Sequence, residues 1–527
     1  MNLMGRYMKK INSLFNAAGR HKNSVSFFLG TTAALGFAPL FLWPLTLLSL
    51  AYLWFLYNQL LDLTPSRNRL WKAALFGWSF GLGYFVVGLY WITNALFVDL
   101  NAFWWGIPFS FIGLPAILAI FIAVPFILTA LFPREGLARI LLFAASWVAL
   151  EWIRGHIFTG FPWNFLGYIW GWSSTMSQTA SLAGIYGLSL LTVFMGISLG
   201  SLRKRKVVCL ITYGIVCLCW GGGHYRVTHP DVVSGPSFAI RLVQPNVSQT
   251  LKWDPAEKKR NFHHLLTLST FPSSLPLKAI IWPESAVSFF LDGSPSARRV
   301  IGDSLPRGAL LFTGGLRRTP LGARTLKIWN SLLVVDEKGS LIAHFDKSHL
   351  VPFGEYFPFR ETLDKFLGKN TLKKITAGDR DFTPGEGPQS IPLPEGFPSF
   401  SGLVCYEVIF PGAIIHPTHP RPGWIINVTN DAWYGNSSGP YQHLESARFR
   451  AIEEGIPLVR VANSGVSAVF DAYGQIVGEL PLNTESILDV ILPRPTCIVP
   501  PYARWGDNLI WALICGLLLW SWSLRRK

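Results

Sequence analysis

The sequence predicts a polytopic α-helical membrane domain of about eight spans, interrupted by one layered α/β domain. Three observations carry this expectation. Half of the 527 residues are hydrophobic and only 14% are charged, well below the roughly 25% charged typical of soluble domains. The apolar residues fall in long blocks over residues 25–222 and 508–524, with mixed, globular sequence between them. Within that mixed stretch, short β-rich runs alternate with amphipathic helical patterns, the signature of a layered α/β domain.

A bilayer core about 30 Å thick takes about 20 predominantly apolar residues per helix. The stretches that meet or approach this are 25–38, 40–60, 72–94, 108–132, 137–154, 178–200, 206–222 and 507–524. The first is short, and "FWWGIPFSFIGLP" at 103–115 reads as an interfacial start to the fourth. The expected organisation is therefore a basic tail (1–24), seven spans (25–222), a soluble domain (223–505), and an eighth span with a second basic tail (506–527).

Orientation follows from the cations in short flanking segments. Arg6, Lys9, Lys10, Arg20, Lys22, Arg67, Arg69, Lys72, Arg134, Arg139, the "RKRK" of 203–206 and the "RRK" of 525–527 lie on one face, against Arg154 alone on the other. Both termini are expected in the cytoplasm and the soluble domain outside it. The formal net charge of +16 is then largely topological, because residues 223–505 hold 28 Lys and Arg against 25 Asp and Glu. This leaves no argument for nucleic acid as a partner. No cleavable signal peptide is expected, because the first apolar stretch runs on into further spans.

Six cysteines, at 209, 217, 219, 405, 497 and 515, form no framework. Only Cys405 and Cys497 fall in the exported domain. Cys497 sits just before the last span while Cys405 ends a strand-like run, so a free Cys405 thiol is expected.

The strand-like runs are 238–246, 278–285, 309–316, 330–347, 401–408, 423–431 and 457–477. Turn signals DEKG (336–339) and DAYG (471–474) split two of them into hairpins. Helical patterns cover 254–269 and 442–455, the second ended by Gly455.

Three of these runs end in a polar side chain that packing does not require. "IIWPES" delivers Glu284, "AHFDKSHLVPFGEY" delivers Lys347 and then Glu355, and "GLVCYE" delivers Cys405. Polar groups at the carboxyl ends of strands can converge on one crevice. A thiol is a poor nucleophile until deprotonated, so Glu284 suits a general base for Cys405 attacking a carbonyl. Lys347 suits the resulting oxyanion, beside a backbone N–H such as that of Tyr406; one such donor contributes about 3 kcal/mol. His344 and His349 flank Lys347 without a third ligand at suitable spacing, so no metal is expected.

The order Glu, Lys, Cys, set in "WPES", "FDKSHLVPFGEY" and "VCYE", resembles the nitrilase superfamily. The surrounding spans, with "LVPFGEY" and "NDAWYG" (430–435), make the whole chain similar to its membrane branch, the bacterial apolipoprotein N-acyltransferases. That resemblance implies an αββα sandwich, Glu284 as base, Lys347 as oxyanion stabiliser and Cys405 as nucleophile. It also implies a second essential glutamate at Glu355 and supporting roles for Tyr406, Glu407 and Trp253. The implied reaction moves an acyl chain from a phospholipid to Cys405 as a thioester, then to the α-amine of a diacylglyceryl-cysteine at a lipoprotein N-terminus. No cofactor is implied, and a monomer in the bacterial inner membrane is expected. The aromatic, proline-rich stretch 351–368 suits a lid, since a thioester must be kept from water. Two rivals are a membrane-anchored amidase using the same triad with water as acceptor, and a transporter or scaffold. The second should hold buried charges within its spans, where only Asp62, Glu151 and Arg154 occur, near span ends.

Overall fold

The computed structural model of the protein describes residues 21–132, 136–235, 237–320, 322–323, 325–367, 374–376 and 380–525. Arg6, Lys9, Lys10, Arg20, Arg134, Arg526 and Lys527 of the topological argument lie outside them, as does residue 368 of the expected lid. The chain divides into two compact units, one of residues up to 90, 105–226 and 505 onward, the other of 91–104 and 227–504.

The first unit is helical. Its helices run Lys22–Ala34, Trp43–Asp62, Ser66–Leu89, Leu114–Ala130, Leu137–His156, Ala180–Gly200, Lys206–Thr228 and Asn508–Arg525. Among the described residues, four helical stretches are long and apolar enough to cross a bilayer: Ser66–Gly106, Phe109–Ala130, Ala180–Gly200 and Lys206–Thr228, with Asn508–Leu524 a shorter apolar helix. Lys22–Ala34 falls short because 13 residues reach only about 20 Å. Small residues bring the helices together, as membrane packing favours. A Cβ on Gly30 would collide with the Phe80 carbonyl oxygen, so these two helices touch backbone to backbone.

Several buried polar groups inside this unit find local partners. Arg139, expected as a flanking cation, is instead buried and donates to Asn58 Oδ1 and the Phe132 carbonyl, both at 2.6 Å. Glu151 and Arg154 are also buried, and each is held by other groups. Arg154 donates to the carbonyls of Phe161 and Trp163, while Glu151 accepts from the Leu166 N–H and the Trp147 indole.

The second unit holds two six-stranded sheets. The strands are β1 Ala239–Gln244, β2 Leu277–Ile281, β3 Leu310–Arg318, β4 Ile328–Val335, β5 Leu341–Asp346, β6 Ser390–Ile391, β7 Phe400–Val404, β8 Trp424–Thr429, β9 Leu458–Ala462, β10 Ser467–Phe470, β11 Ile476–Leu480 and β12 Ser486–Ile491. Their orders are β12-β1-β2-β3-β4-β5 and β11-β10-β9-β8-β7-β6. Each sheet has a parallel trio, β1-β2-β3 or β7-β8-β9, extended by antiparallel strands. The trio strands read as near-continuous apolar runs because both their faces are covered. One core packs the sheets together, with Ile240, Ile281, Phe312 and Leu332 meeting Phe400, Trp424, Ile426 and Val459. A second core seats helices Lys258–Ser269 and Pro295–Ser304 on the first sheet. Helix Gly439–Glu454 follows β8 and ends at Gly455, whose φ of 64° closes it in the left-handed region.

Both expected hairpins form, β4 to β5 and β10 to β11. In each, the first aspartate of the turn, Asp336 or Asp471, accepts two backbone N–H groups of its own loop. The run 401–408 is corrected: β7 stops at Val404, and Cys405–Ile409 form a 3-10 turn. Residues 91–104 also depart from expectation by belonging to this unit. Trp91 packs edge-on against Tyr434 and donates to Gln442, and Asn94 Nδ2 donates to the Tyr434 carbonyl at 2.7 Å.

Arg241 of β1 is fully buried and joins several elements. It pairs with Asp489 of β12 through two 2.7 Å bonds and donates to the carbonyls of Ser269 and Phe271. Breaking such a pair strands the remaining groups. Arg241→Leu should therefore destabilise the protein by about 3 kcal/mol, seen as a fall in the unfolding midpoint of the detergent-solubilised chain; an unchanged midpoint would contradict this.

Candidate active site

Glu284 lies three residues beyond the end of β2. Proline at 283 ends the ladder, the Trp282 N–H bonds the Phe312 carbonyl, and Ser285 turns the chain with a φ of 47°. The turn lies directly on β3, where a Cβ on Gly314 would come within 2.5 Å of the Glu284 Cα. Only glycine admits that approach. Lys347 follows β5, its N–H bonded to the Asn330 carbonyl of β4 at 2.8 Å. Cys405 follows β7 with a φ of 52°, a conformation that costs a non-glycine residue of order 1 kcal/mol.

These strand ends meet through hydrogen bonds. Lys347 Nζ pairs with Glu355 Oε2 at 2.8 Å, with the two side chains 1% and 4% exposed. Asn330 Nδ2 donates to Glu355 Oε1 at 3.0 Å and to Glu284 Oε1 at 2.7 Å, linking both carboxylates. Lys252 Nζ donates to the Glu284 backbone carbonyl at 2.9 Å. Glu355 also accepts from the Val351 N–H, at the start of the expected lid.

The Cys405 turn is gripped from two sides. Glu407 Oε2 accepts from the Val404 N–H while its Oε1 accepts from the N–H and hydroxyl of Ser348 and the N–H of His349. One carboxylate thus ties the turn to the segment after Lys347. Behind it, His443 Nε2 lies 3.2 Å from the Cys405 carbonyl and must donate, since a carbonyl only accepts. Asn427 Nδ2 approaches the same oxygen at 3.4 Å. Asp431 steadies His443 at 2.9 Å and pairs with Arg460 at 2.6 Å, and Arg460 donates to Asn427.

The electrostatics follow from burial. Desolvation and the neighbouring Glu284 push the Cys405 thiol up to about 12 against the opposing Lys347, so it rests protonated. Burial likewise raises Glu284, with Lys347 and Lys252 opposing and Glu355 reinforcing the rise. Burial alone would lower Lys347, but Glu355, Glu284 and Cys405 outweigh it and keep the ammonium charged. Burial would raise Asp431, yet Arg460 and His443 hold it down to about 2. A protonated thiol, a carboxylate of raised proton affinity and a fixed cation together suit base-assisted attack on a carbonyl.

The structure thus joins Glu284, Lys347, Glu355 and Glu407 to the Cys405 turn. Tyr406 is buried, edge-on to Phe410 and tilted against His349. Trp253 stands half-buried at the end of the short helix Gln249–Lys252, without a described hydrogen bond or ring contact to the others. Asn330, Lys252 and the cluster Asn427, Asp431, His443 and Arg460 border the site without being singled out by the sequence. Each sits in an ordinary-looking strand or helix, and the only signal was a polar side chain in an apolar run, as in "WNSLL" and "LVRVA". No cluster able to hold a metal occurs among the described residues.

Replacing Glu407 by Gln keeps its shape but turns an N–H donor toward one of its partner N–H groups. Glu407→Gln should remain folded and slow alkylation of Cys405 by about tenfold or more, in line with the loss of a charge-assisted bond. An unchanged alkylation rate would remove Glu407 from the site.

Comparison with known proteins adds the family. Residues 29–198 match the Apolipoprotein N-acyltransferase N-terminal domain, and residues 239–499 match Carbon-nitrogen hydrolase. An apolipoprotein N-acyltransferase of Rhodopseudomonas palustris is 38% identical over 100% of this chain and 99% of its own. Proteins of the same name from Bradyrhizobium diazoefficiens and Rickettsia bellii are 42% and 34% identical, covering 92% and 95% of this chain and 91% and 97% of theirs. A resemblance over the full length at this identity leaves one conclusion: this integral membrane chain belongs to the apolipoprotein N-acyltransferase family.

Proposed function

We propose that this N-acyltransferase works through a thioester on Cys405, with Glu284 as general base and Lys347 as oxyanion partner. The observation that carries the proposal is the linkage of the β2 and β5 ends through Asn330 and the Lys347–Glu355 pair, with the Cys405 turn tied to the segment after Lys347 by Glu407 and a thiol that rests protonated.

In the first half-reaction Cys405 Sγ bonds to the ester carbonyl carbon of a phospholipid, and Glu284 takes the thiol proton. Lys347 and the Tyr406 N–H stabilise the oxyanion. The ester C–O bond then breaks and Glu284 returns the proton to the departing lysophospholipid oxygen. In the second, the α-amine of a diacylglyceryl-cysteine bonds to the thioester carbon, the C–S bond breaks, and the amine proton passes through Glu284 to the thiolate. An α-amine, ordinarily near pKa 8, needs little activation. Glu355 orients Lys347, Glu407 braces the nucleophile turn, Tyr406 supports it, and Trp253 contributes on the substrate side.

The wider arrangement belongs to the same proposal. The helix, sheet, sheet, helix layering is an αββα sandwich spanning 223–505. It lies on the periplasmic side of the inner membrane, between seven spans in 25–222 and an eighth in 506–527, with the basic ends 1–24 and 525–527 in the cytoplasm. The donor is a membrane phospholipid, the acceptor a diacylated apolipoprotein, and the enzyme a monomer that binds no nucleic acid.

Incubating the purified protein with labelled phospholipid should give a hydroxylamine-labile acyl adduct by intact mass, absent in Cys405→Ala. No adduct on wild type in mixed micelles would sink the proposal. A diacylated lipopeptide should discharge the adduct; discharge by water alone would favour an amidase. Because Glu284 must be ionised to act and burial raises its proton affinity, adduct formation should fail on acidification at a higher pH than an ordinary glutamate would give. Glu284→Gln should abolish that limb together with at least about 100-fold of the rate.

A further inference from the structure

Two turns of the site share one device. At each, a residue in the left-handed region adjoins or forms the reactive position, and a buried side chain grips the backbone carbonyl of that position. His443 and Asn427 hold the carbonyl of Cys405, whose own φ is 52°. Lys252 holds the carbonyl of Glu284, just ahead of Ser285 at φ 47°. The second grip is the unusual one, because it brings a second lysine into the site.

Lys252 is 5% exposed, and its ammonium makes one hydrogen bond among the described residues, to the Glu284 carbonyl. It stands at the end of the helix Gln249–Lys252, with its N–H bonded to Ser248. Its neighbours are chemically mixed. Glu284 after β2 and Cys405 after β7 both act on its charge, while Lys258 and Asn261 from the next helix and Asn463 after β9 line a small cavity with it. A single neutral carbonyl does not account for a buried ammonium, whose desolvation costs several kcal/mol unless a charge answers it.

We propose that Lys252 is a positioning residue for Glu284, clamping its backbone carbonyl and supplying a positive charge that keeps its carboxylate ready to accept the Cys405 proton. The charge is present where it is needed. Burial pushes the ammonium down to about 8 while Glu284 and Cys405 pull it up, so Lys252 is cationic at neutral pH and below. It also answers a deficit within the network. Lys347 is paired directly with Glu355, which leaves Glu284 with Asn330 as its described side-chain hydrogen-bond partner. This role rests on the proposed part of Glu284 as the base for Cys405.

The test uses the full-length detergent-solubilised protein with two readouts against pH: acyl-adduct formation from phospholipid, and alkylation of Cys405 by iodoacetamide, which needs no lipid. Lys252→Gln keeps a donor toward the carbonyl and removes the charge, whereas Lys252→Arg keeps both. Lys252→Gln should slow both reactions about tenfold and move the acid limb of both profiles up by about one unit, because Glu284 then holds its proton more tightly. Lys252→Arg should return the limb to its wild-type position. A slower Gln variant with an unmoved limb would mean a structural clamp only and would overturn the proposal, as would unchanged profiles. Should the Gln variant not fold, Lys252→Met carries the same comparison. If wild type forms no acyl adduct but its alkylation limb still responds to Lys252, the acyl-transfer reading fails and the Lys252 assignment stands.

Discussion

Buried charge is the constraint around which this site is organised. Removing an ammonium and two carboxylates from water is expensive, and it is tolerated only where each ion meets a partner with good geometry. The 2.8 Å Lys347–Glu355 pair meets that condition, and Asn330 extends it to Glu284. The positions of β2, β4 and β5 follow, because Asn330 must face both carboxylates while its carbonyl takes the Lys347 N–H. A shift of β4 by one residue would turn Asn330 to the opposite face and leave two carboxylates facing each other. Sheet register and catalytic electrostatics are therefore one requirement.

Glu407 and the cluster behind Cys405 answer a second demand, the cost of a cysteine in a strained conformation. A left-handed cysteine persists only when its surroundings over-determine it. Glu407 fixes the N–H ahead of the turn, and His443 and Asn427 fix the carbonyl at it. Asp431, ionised over nearly the whole pH range, holds Arg460 and His443 in place. The polar matter buried under the sheet is thus tied to holding one sulfur-bearing residue in a conformation it would not adopt alone.

Much of this was legible in the residues. The apolar blocks, the alternation of strands and helices, and the polar ends at Glu284, Lys347 and Cys405 are all local patterns, and local patterns survive in a linear text. Asn330, Lys252 and His443 were not legible, because each matters only through a partner far away in sequence. The separation of 32 residues between Lys252 and Glu284 is set by the parallel crossover between β1 and β2 rather than by any periodicity. The overextended strand at 401–408 failed for a related reason. "CYEVIF" has β-forming side chains, but the carboxylate of Glu407 curls the chain back on Val404, and that bond overrides propensity.

The stretch 91–104 gives the second unit a discontinuous ancestry along the chain. Its fourteen residues arrive between two apolar helices, more than a hundred positions before β1, yet Trp91 and Asn94 are wall material for Tyr434 and Gln442. Gln442 is the residue before His443, whose ring reaches the Cys405 carbonyl. The second unit is consequently not a cassette that can be lifted out at its apparent borders. A fragment beginning at residue 227 would carry Glu284, Lys347 and Cys405 and still lack the Trp91 and Asn94 contacts to Tyr434 and Gln442.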